Sequence, residues 1–277
     1  MSSNKKVNAI NSISGKPASV IIEQPEVNFV ALEIKGTAPL IQNCFSQKSM
    51  EQMLRKHMGL SVPKEAKKPR EVVEAAMTRN VEDKICIPPT AFKKAMLEAA
   101  NQIKSLKKTH LRTSIFIEGQ SVPITFANWR PRLDIVKTSG MNRQPDVRFR
   151  PEFQEWKARM VIEFSDTLSM ATVVDLLHRA GRVGVGEWRP QKDGTFGTFR
   201  VCRHITDSKE AAEVREQCSP SLVPLYIPEW ALDADFTPEI MRKIMNGAAS
   251  GSVGSEDVEY DPSEDSGEEE LLEDSPN

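Results

Sequence analysis

The sequence predicts an α+β protein with a ferredoxin-like β-α-β-β-α-β core, β-hairpin insertions and a disordered acidic C-terminal tail. Three observations carry this expectation. Strand-like apolar stretches occur at 27–36, 113–119, 122–127, 132–137, 157–165 and 198–205. Stretches with helical apolar spacing, from Thr90 to Ile103 and at 169–180, separate them in the order strand, helix, strands, helix, strand. Gly, Pro and Asn punctuate the segments between. Such a fold has an antiparallel sheet with both helices on one side, and its other face is expected to be free for a ligand.

Residues 1–25 are polar, contain Gly15, Pro17 and Pro25, and read as a flexible arm. Val27, Phe29 and Ala31 then alternate, with Ile34 after a slip, which makes a strand ending at Gly36 before the breaker Pro39. Residues 46–58 are helical, capped by Ser46 or Ser49, with Met50, Met53, Leu54, His57 and Met58 on one stripe. A basic, proline-broken loop at 61–70 precedes a short helix at 71–79. Ile85, Cys86 and Ile87 form a short strand closed by Pro88 and Pro89. Thr90 is the expected cap of a helix whose stripe is Phe92, Met96, Ala99 or Ala100, and Ile103. After the middle strands, Ser169 caps a helix with Val173, Leu176, Leu177 and Ala180 on its buried face, and Gly181 is expected to stop it. A Gly-rich stretch, the strand at 198–205, a charged helix at 207–217, a proline-rich link and a short helix at 238–246 follow. The expected organisation is an arm (1–25), a core domain (26–206), a helical extension (207–250) and a tail (251–277).

The 277 residues suit one domain of about 200–250 residues or two smaller ones. A content of 39% hydrophobic and 27% charged residues supports both a core and a solvated surface. No apolar run reaches the roughly 18–20 residues of a membrane span, and the first residues lack a signal-peptide stretch. Cys44, Cys86, Cys202 and Cys218 are scattered, with no C-x-x-C, which disfavours a disulfide framework or zinc knuckle and fits a reducing cytoplasm. The net charge of -2 conceals a split. Residues 251–277 hold eleven Asp and Glu and no Lys or Arg, so the preceding chain carries 37 basic against 28 acidic residues, a net of +9. A basic body with an acidic tail suits a protein that handles nucleic acid, and suits equally an ordinary domain with a solubilising tail.

Two segments carry binding chemistry. Gly181, Gly184, Gly186, Gly194 and Gly197 follow a helix and precede a strand, the reverse of a dinucleotide fingerprint, and no Gly-Lys-Ser/Thr is present. Their backbone can approach a ligand closely and offer N–H groups to an anion. Interleaved with them are Trp188, Arg189, Lys192, Phe196, Phe199 and Arg200, a mixture that stacks on bases and holds phosphates. The bland alternative is a long hairpin with Gly turns and core aromatics. The second segment, Trp129 to Arg150, has the basic residues Arg130, Arg132, Lys137, Arg143, Arg148 and Arg150 against Asp134 and Asp146. Arginine suits bidentate phosphate contacts, whereas the alternative is a solvated hairpin whose arginines pair with nearby acids. Lys93 and Lys94 sit in the first turn of a helix, where cations oppose the macrodipole, so they point to an external anion.

The run Ile87-Pro88-Pro89-Thr90-Ala91-Phe92-Lys93-Lys94-Ala95 resembles the turn and first helix of the RAMP superfamily, the Cas7-type RNA-binding subunits of CRISPR effector complexes. The usual glycines of that turn are missing, and Thr90 stands where Ser is common. Gly181 through Phe199 resembles the family's Gly-rich loop before the last strand. The resemblance implies an RRM/RAMP-type fold that binds a single strand. The acidic tail is foreign to that pattern and is similar to the tails of phage and bacterial single-stranded-DNA-binding proteins, although it ends Asp274-Ser275-Pro276-Asn277 with no aromatic residue. The mixture implies a stand-alone, phage-borne relative in a bacterial or phage-infected cell, with a protein partner for the tail.

Catalysis has little support. His57, His110, His178 and His204 are isolated, Cys202 and His204 lack a second ligand pair, and no G-x-S-x-G or H-E-x-x-H occurs. No metal or other cofactor is expected. The expected function is sequence-independent binding of single-stranded DNA or RNA by a homo-oligomer that lines the strand. The alternatives are a phage assembly or interaction protein, and a RAMP-type ribonuclease for which Asp134, Glu187 and His178 are the residues to test first.

Overall fold

In the computed structural model, the structure describes residues 26–62, 66, 68–103, 106–137 and 145–232. The arm at 1–25, Arg143, the helix expected at 238–246 and the acidic tail lie outside the described residues. The elements in chain order are β1 (Val27–Gly36), β2 (Leu40–Ile41), α1 (Gln47–His57), α2 (Pro69–Ala75), β3 (Cys86–Ile87), α3 (Pro89–Ala99), α4 (Lys108–Ser114), β4 (Ile115–Ile117), β5 (Val122–Thr125), β6 (Asn128–Lys137), β7 (Pro145–Gln154), β8 (Lys157–Ser165), α5 (Met170–Val183), β9 (Phe199–Ile205), α6 (Ser208–Cys218) and α7 (Glu229–Leu232).

The main sheet confirms the expected α+β class. Its strands run β9-β1-β8, and β8 then pairs with both β4 and β5, all antiparallel. Counting β4 and β5 as one interrupted strand, this is the fourth-first-third-second order of a ferredoxin-like β-α-β-β-α-β unit, with α3 and α5 as its two helices. On β1, Val30, Leu32 and Ile34 face the helices, as do Ala158, Met160, Ile162 and Phe164 of β8. They meet Phe92, Met96 and Ala99 of α3 and Val173, Leu176, Leu177 and Ala180 of α5 in one continuous core.

Ser46 caps α1 and Ser169 caps α5 as expected, each accepting a backbone N–H three residues on. Two boundaries differ. Pro88, not Thr90, occupies the N-cap of α3, and Pro89 opens the helix at the position where a missing N–H costs nothing. The helix α5 runs through Gly181 and ends at Gly184. Gly181 is there because a β-carbon would come 1.9 Å from the Phe199 carbonyl oxygen, so its absence lets α5 lie directly on β9.

The expectation of an open sheet face is corrected in part. The helix α6, capped by Asp207, lies across it, and Val214 and Cys218 pack on Ala31, Val161 and Ile205. A charged frame closes around this patch. Arg159 and Arg203 both pair with Glu210, Arg203 also holds Glu33, and Arg215 pairs with Glu118 at 2.6 Å beneath its stacking contact with Phe29. Helix α6 therefore packs directly on the core sheet.

A second sheet, β2-β7-β6, is separate from the first. The strands β6 and β7 pair without a break from Asn128↔Gln154 to Lys137↔Pro145, so the expected excursion is one long hairpin arm. Trp156, fully buried, joins the arm to the main sheet. Its indole N–H donates to the Ala38 carbonyl at 2.9 Å, and its ring meets Phe199 edge-on. Among the described residues no helix is long and apolar enough to cross a membrane.

Candidate nucleic-acid interface

Alternation along the arm separates two faces. Arg130, Arg132, Asp134, Arg148, Arg150 and Glu152 share one, and Trp129, Leu133, Ile135, Val147 and Phe149 share the other. The charged face is a network of ion pairs. Arg130 reaches Glu152 at 2.8 Å, and Arg132 reaches both Asp134 at 2.7 Å and Glu152 at 3.1 Å. Arg148 pairs with Asp146 at 2.7 Å, and Arg150 lies 3.4 Å from Asp134 and 3.9 Å from Glu187. Four arginines thus meet four carboxylates. The arginine-with-acid alternative describes this face, and the picture of an unpaired basic surface is corrected. Glu152 lies one alternation past the span whose charges were counted, and Glu187 arrives from the Gly-rich loop.

Glu152 is the hub, at 1% exposure. Burial works to raise its carboxyl, but hydrogen bonds from Arg132, Arg130 and Gln154 outweigh burial and hold it below the ordinary carboxylate range. Arg150 is buried too, and its Nε has no hydrogen-bond partner. Arg130 and Arg148 keep much of their surface in solvent, whereas Arg132 lies over the Phe196 ring, 4.7 Å from its centre. These contacts seat the arm's charged face against the Gly-rich loop.

That loop is stitched to β2 and to the end of β1. The amides of Val185, Glu187, Phe196 and Gly197 donate to the carbonyls of Gly197, Ile41, Trp188 and Pro39. The expectation that the loop offers its N–H groups freely to an anion is corrected for these positions. Trp188 lies at the outer bend with φ 53 and 36% exposure. A non-glycine residue in this region carries strain on the order of 1–3 kcal/mol and persists there only where its surroundings impose the conformation. The loop packs closely here: a β-carbon on Gly194 would lie 1.8 Å from the Trp188 carbonyl oxygen, so only glycine lets the two turns of the loop close. Arg189 follows, its guanidinium donating to the Gly186 carbonyl and to Gln191. Lys192 is exposed on the same loop, while Arg200 is exposed beyond it on β9.

The loop faces the start of α3 across a cleft of about 270 Å³. Thr90 and Lys94 line one wall, Gly184, Gly186, Glu187 and Arg189 the other, and Gln42 lies among the lining residues. Gln42 is buried, donates to the Cys86 carbonyl at 2.7 Å and accepts from the Thr78 amide, locking β2 to the β3 turn. The two segments that carry the RAMP resemblance are therefore opposite walls of one cleft. Lys93 is not part of it. Its ammonium donates to the Arg112 carbonyl at 2.8 Å and sits over the Phe116 ring, and burial lowers its pKa. Phe199 is a core residue.

The three nuclease candidates do not form a catalytic group. Asp134 and Glu187 both flank Arg150, and His178 is exposed on α5. Burial pushes the Cys218 thiol up to about 12, which removes it as a nucleophile. Among the described residues no cluster of His, Cys, Asp and Glu could hold a metal ion. Sequence reasoning missed Glu152, whose alternation with Arg148 and Arg150 was the available signal, and Gln42, which has no signal in sequence.

No family model matches this chain, and no curated protein sequence does. Among solved structures, it is similar to a chain of the type III-B Cmr-beta bound to cognate target RNA, at 8% identity and a TM-score of 0.41, over 65% of this chain and 60% of that one. It is also similar to Cmr6 from Pyrococcus furiosus, at 10% identity and a TM-score of 0.36, over 65% of this chain and 100% of that one. The chain thus spans 60% of the length of the Cmr-beta chain that it matches.

Proposed function

We propose that this protein binds single-stranded nucleic acid without regard to sequence, across the cleft between the start of α3 and the Gly-rich loop. Lys94, Arg189 and Lys192 would meet phosphates, and Trp188 would stack on a base. The observation that carries this reading is Trp188 itself: a large aromatic side chain, held in a left-handed backbone conformation and partly exposed, between Glu187 and Arg189 in the chain. Replacing Trp188 with Ala is expected to weaken oligonucleotide binding by about 1–3 kcal/mol, the worth of one stacking platform. The melting temperature should change little, because Ala keeps the β-carbon and with it the same backbone conformation. Unchanged affinity in a folded Trp188→Ala protein contradicts the assignment, and loss of folding points to a packing role.

A specific observation supports the multimeric part of the reading. Leu133 and Ile135 are 58% and 71% exposed on the apolar face of the arm, beside Trp129 and Val147. Exposed apolar groups clustered on one face of the arm suit a protein–protein contact, here between copies along the strand. The same surface suits the assembly-protein alternative. Light scattering of the protein with and without a long oligonucleotide separates the two. Copies that assemble only on the strand, and fail to do so as Leu133→Asp/Ile135→Asp, are expected. Assembly that ignores the strand favours the alternative.

A further inference from the structure

Lys157, Lys35 and Arg200 stand side by side on β8, β1 and β9, each the direct cross-strand neighbour of the next. Their chain neighbours Ala158, Ile34 and Val201 point into the helix-side core, so the three cations lie on the opposite face, the one that α6 covers in part. Thr125 of β5 continues the row past Lys157.

The adjacent row on this face is Arg159, Glu33 and Arg203, and there the charges are neutralised by one another and by Glu210 of α6. The cationic row lacks such closure. Lys157 and Arg200 are exposed and Lys35 is half-buried. Among the described residues, no hydrogen bond or ion pair engages any of the three side chains. Opposite positions on antiparallel strands bring β-carbons to about 4.5–5.5 Å, where like charges destabilise a sheet. Three cations across three strands are therefore a local conflict, and conflicts of this kind mark functional sites.

The row also has a useful position and length. Adjacent strands lie about 4.7–4.9 Å apart, so the three side chains span a line of about 10 Å. The Gly-rich loop ends at the same edge: β9 begins two residues after Gly197, and the Thr37 and Thr198 hydroxyls join the end of β1 to the loop's exit at 2.8 Å. We infer that Lys157, Lys35 and Arg200 form a second phosphate-binding element, which takes consecutive phosphodiester groups of a single strand beyond the cleft. This rests on the strand-binding reading and extends its path round the end of β1 onto the other side of the sheet.

The test compares the full chain as wild type, as Lys35→Gln/Lys157→Gln/Arg200→Gln, and as Trp188→Ala, with labelled oligo(dT) and oligo(U) over a salt series. Each phosphate contact on a single strand contributes about 0.7 to the slope of log affinity against log salt, so the triple variant should be shallower by about 2. Its melting temperature should not fall, because the substitutions remove repulsion. The Lys35→Arg/Lys157→Arg protein should keep the wild-type slope, which guards against a packing effect. A folded triple variant with the wild-type slope overturns the element, and loss in Trp188→Ala alone then leaves the cleft standing. Loss in the triple variant alone supports the element and removes Trp188 from the strand. A triple variant that binds more tightly than wild type overturns the inference, giving the row to the acidic residues 251–277. Absence of strand binding by wild type overturns both readings.

Discussion

Trp156→Ala is expected to destabilise the protein by about 3–5 kcal/mol, the range for deleting a buried aromatic side chain. Trp156 is fully buried at the point where β7 hands over to β8. Its ring covers Gly36 so closely that a β-carbon there would lie 2.2 Å from the indole nitrogen, and its N–H satisfies the Ala38 carbonyl. The substitution opens a cavity beside Phe199 and leaves that carbonyl without its partner. The arm should therefore lose its fixed angle to the main sheet as well. Chemical denaturation of the purified variant measures the loss. A change under about 1 kcal/mol, the ordinary size for a point mutation, contradicts this placement of Trp156.

The second large effect is expected at Arg150. Removing one partner of a buried ion pair costs about 3–5 kcal/mol, because the other charge stays buried without compensation. Arg150 and Asp134 are 6% and 8% exposed. Arg150→Met should approach the lower end of that range, since Arg132 continues to hold Asp134 at 2.7 Å. Adding Asp134→Leu should recover part of the loss, as an apolar pair replaces a half-broken ionic one. If Arg150→Met proves as stable as wild type, Arg150 is a surface cation after all and the arm's charged face is open. Loss of strand binding in an Arg148 and Arg150 variant would mix phosphate contact with collapse of the network, so these residues are poor probes of the interface.

Much of the main sheet is legible in the sequence because its apolar periodicity is strong. The strands at 27–36 and 157–165 match the structure at both ends, and so does the Ser169 cap of α5. What escaped lacks a local signal. Leu40–Ile41 is too short for any period, and Lys108–Ser114 is a polar turn of helix whose buried residues are Leu111 and Ser114. The full arm was hidden by Pro131 and Pro151, which usually demote a strand. Here the two prolines sit directly opposite one another, so their missing donors fall at one point of the ladder. The cover supplied by α6 rests on little more than Ala211, Val214 and Cys218, a weak stripe among charges.

The interface is legible in a different measure. The resemblance of 87–95 and 181–199 to one family's motifs pointed to two segments, and the fold sets them across one cleft. Composition alone misjudged the arm, because a count of cations carries no information on which carboxylates fold back onto them. Lys35, Lys157 and Arg200 could not be grouped from sequence at all. They come from three strands separated by more than a hundred residues and then by about forty, and only the pairing register aligns them.

The central claim is that this fold binds a single strand through phosphate and base contacts. A mobility-shift titration of the full chain with single-stranded DNA, single-stranded RNA and duplex DNA, at low and at physiological salt, tests it most directly. Retarded complexes with the single strands are expected, with weaker binding to the duplex and affinity that falls as salt rises because displaced counterions drive association. Absence of any complex at low salt, or equal binding to the duplex with no dependence on salt, contradicts it.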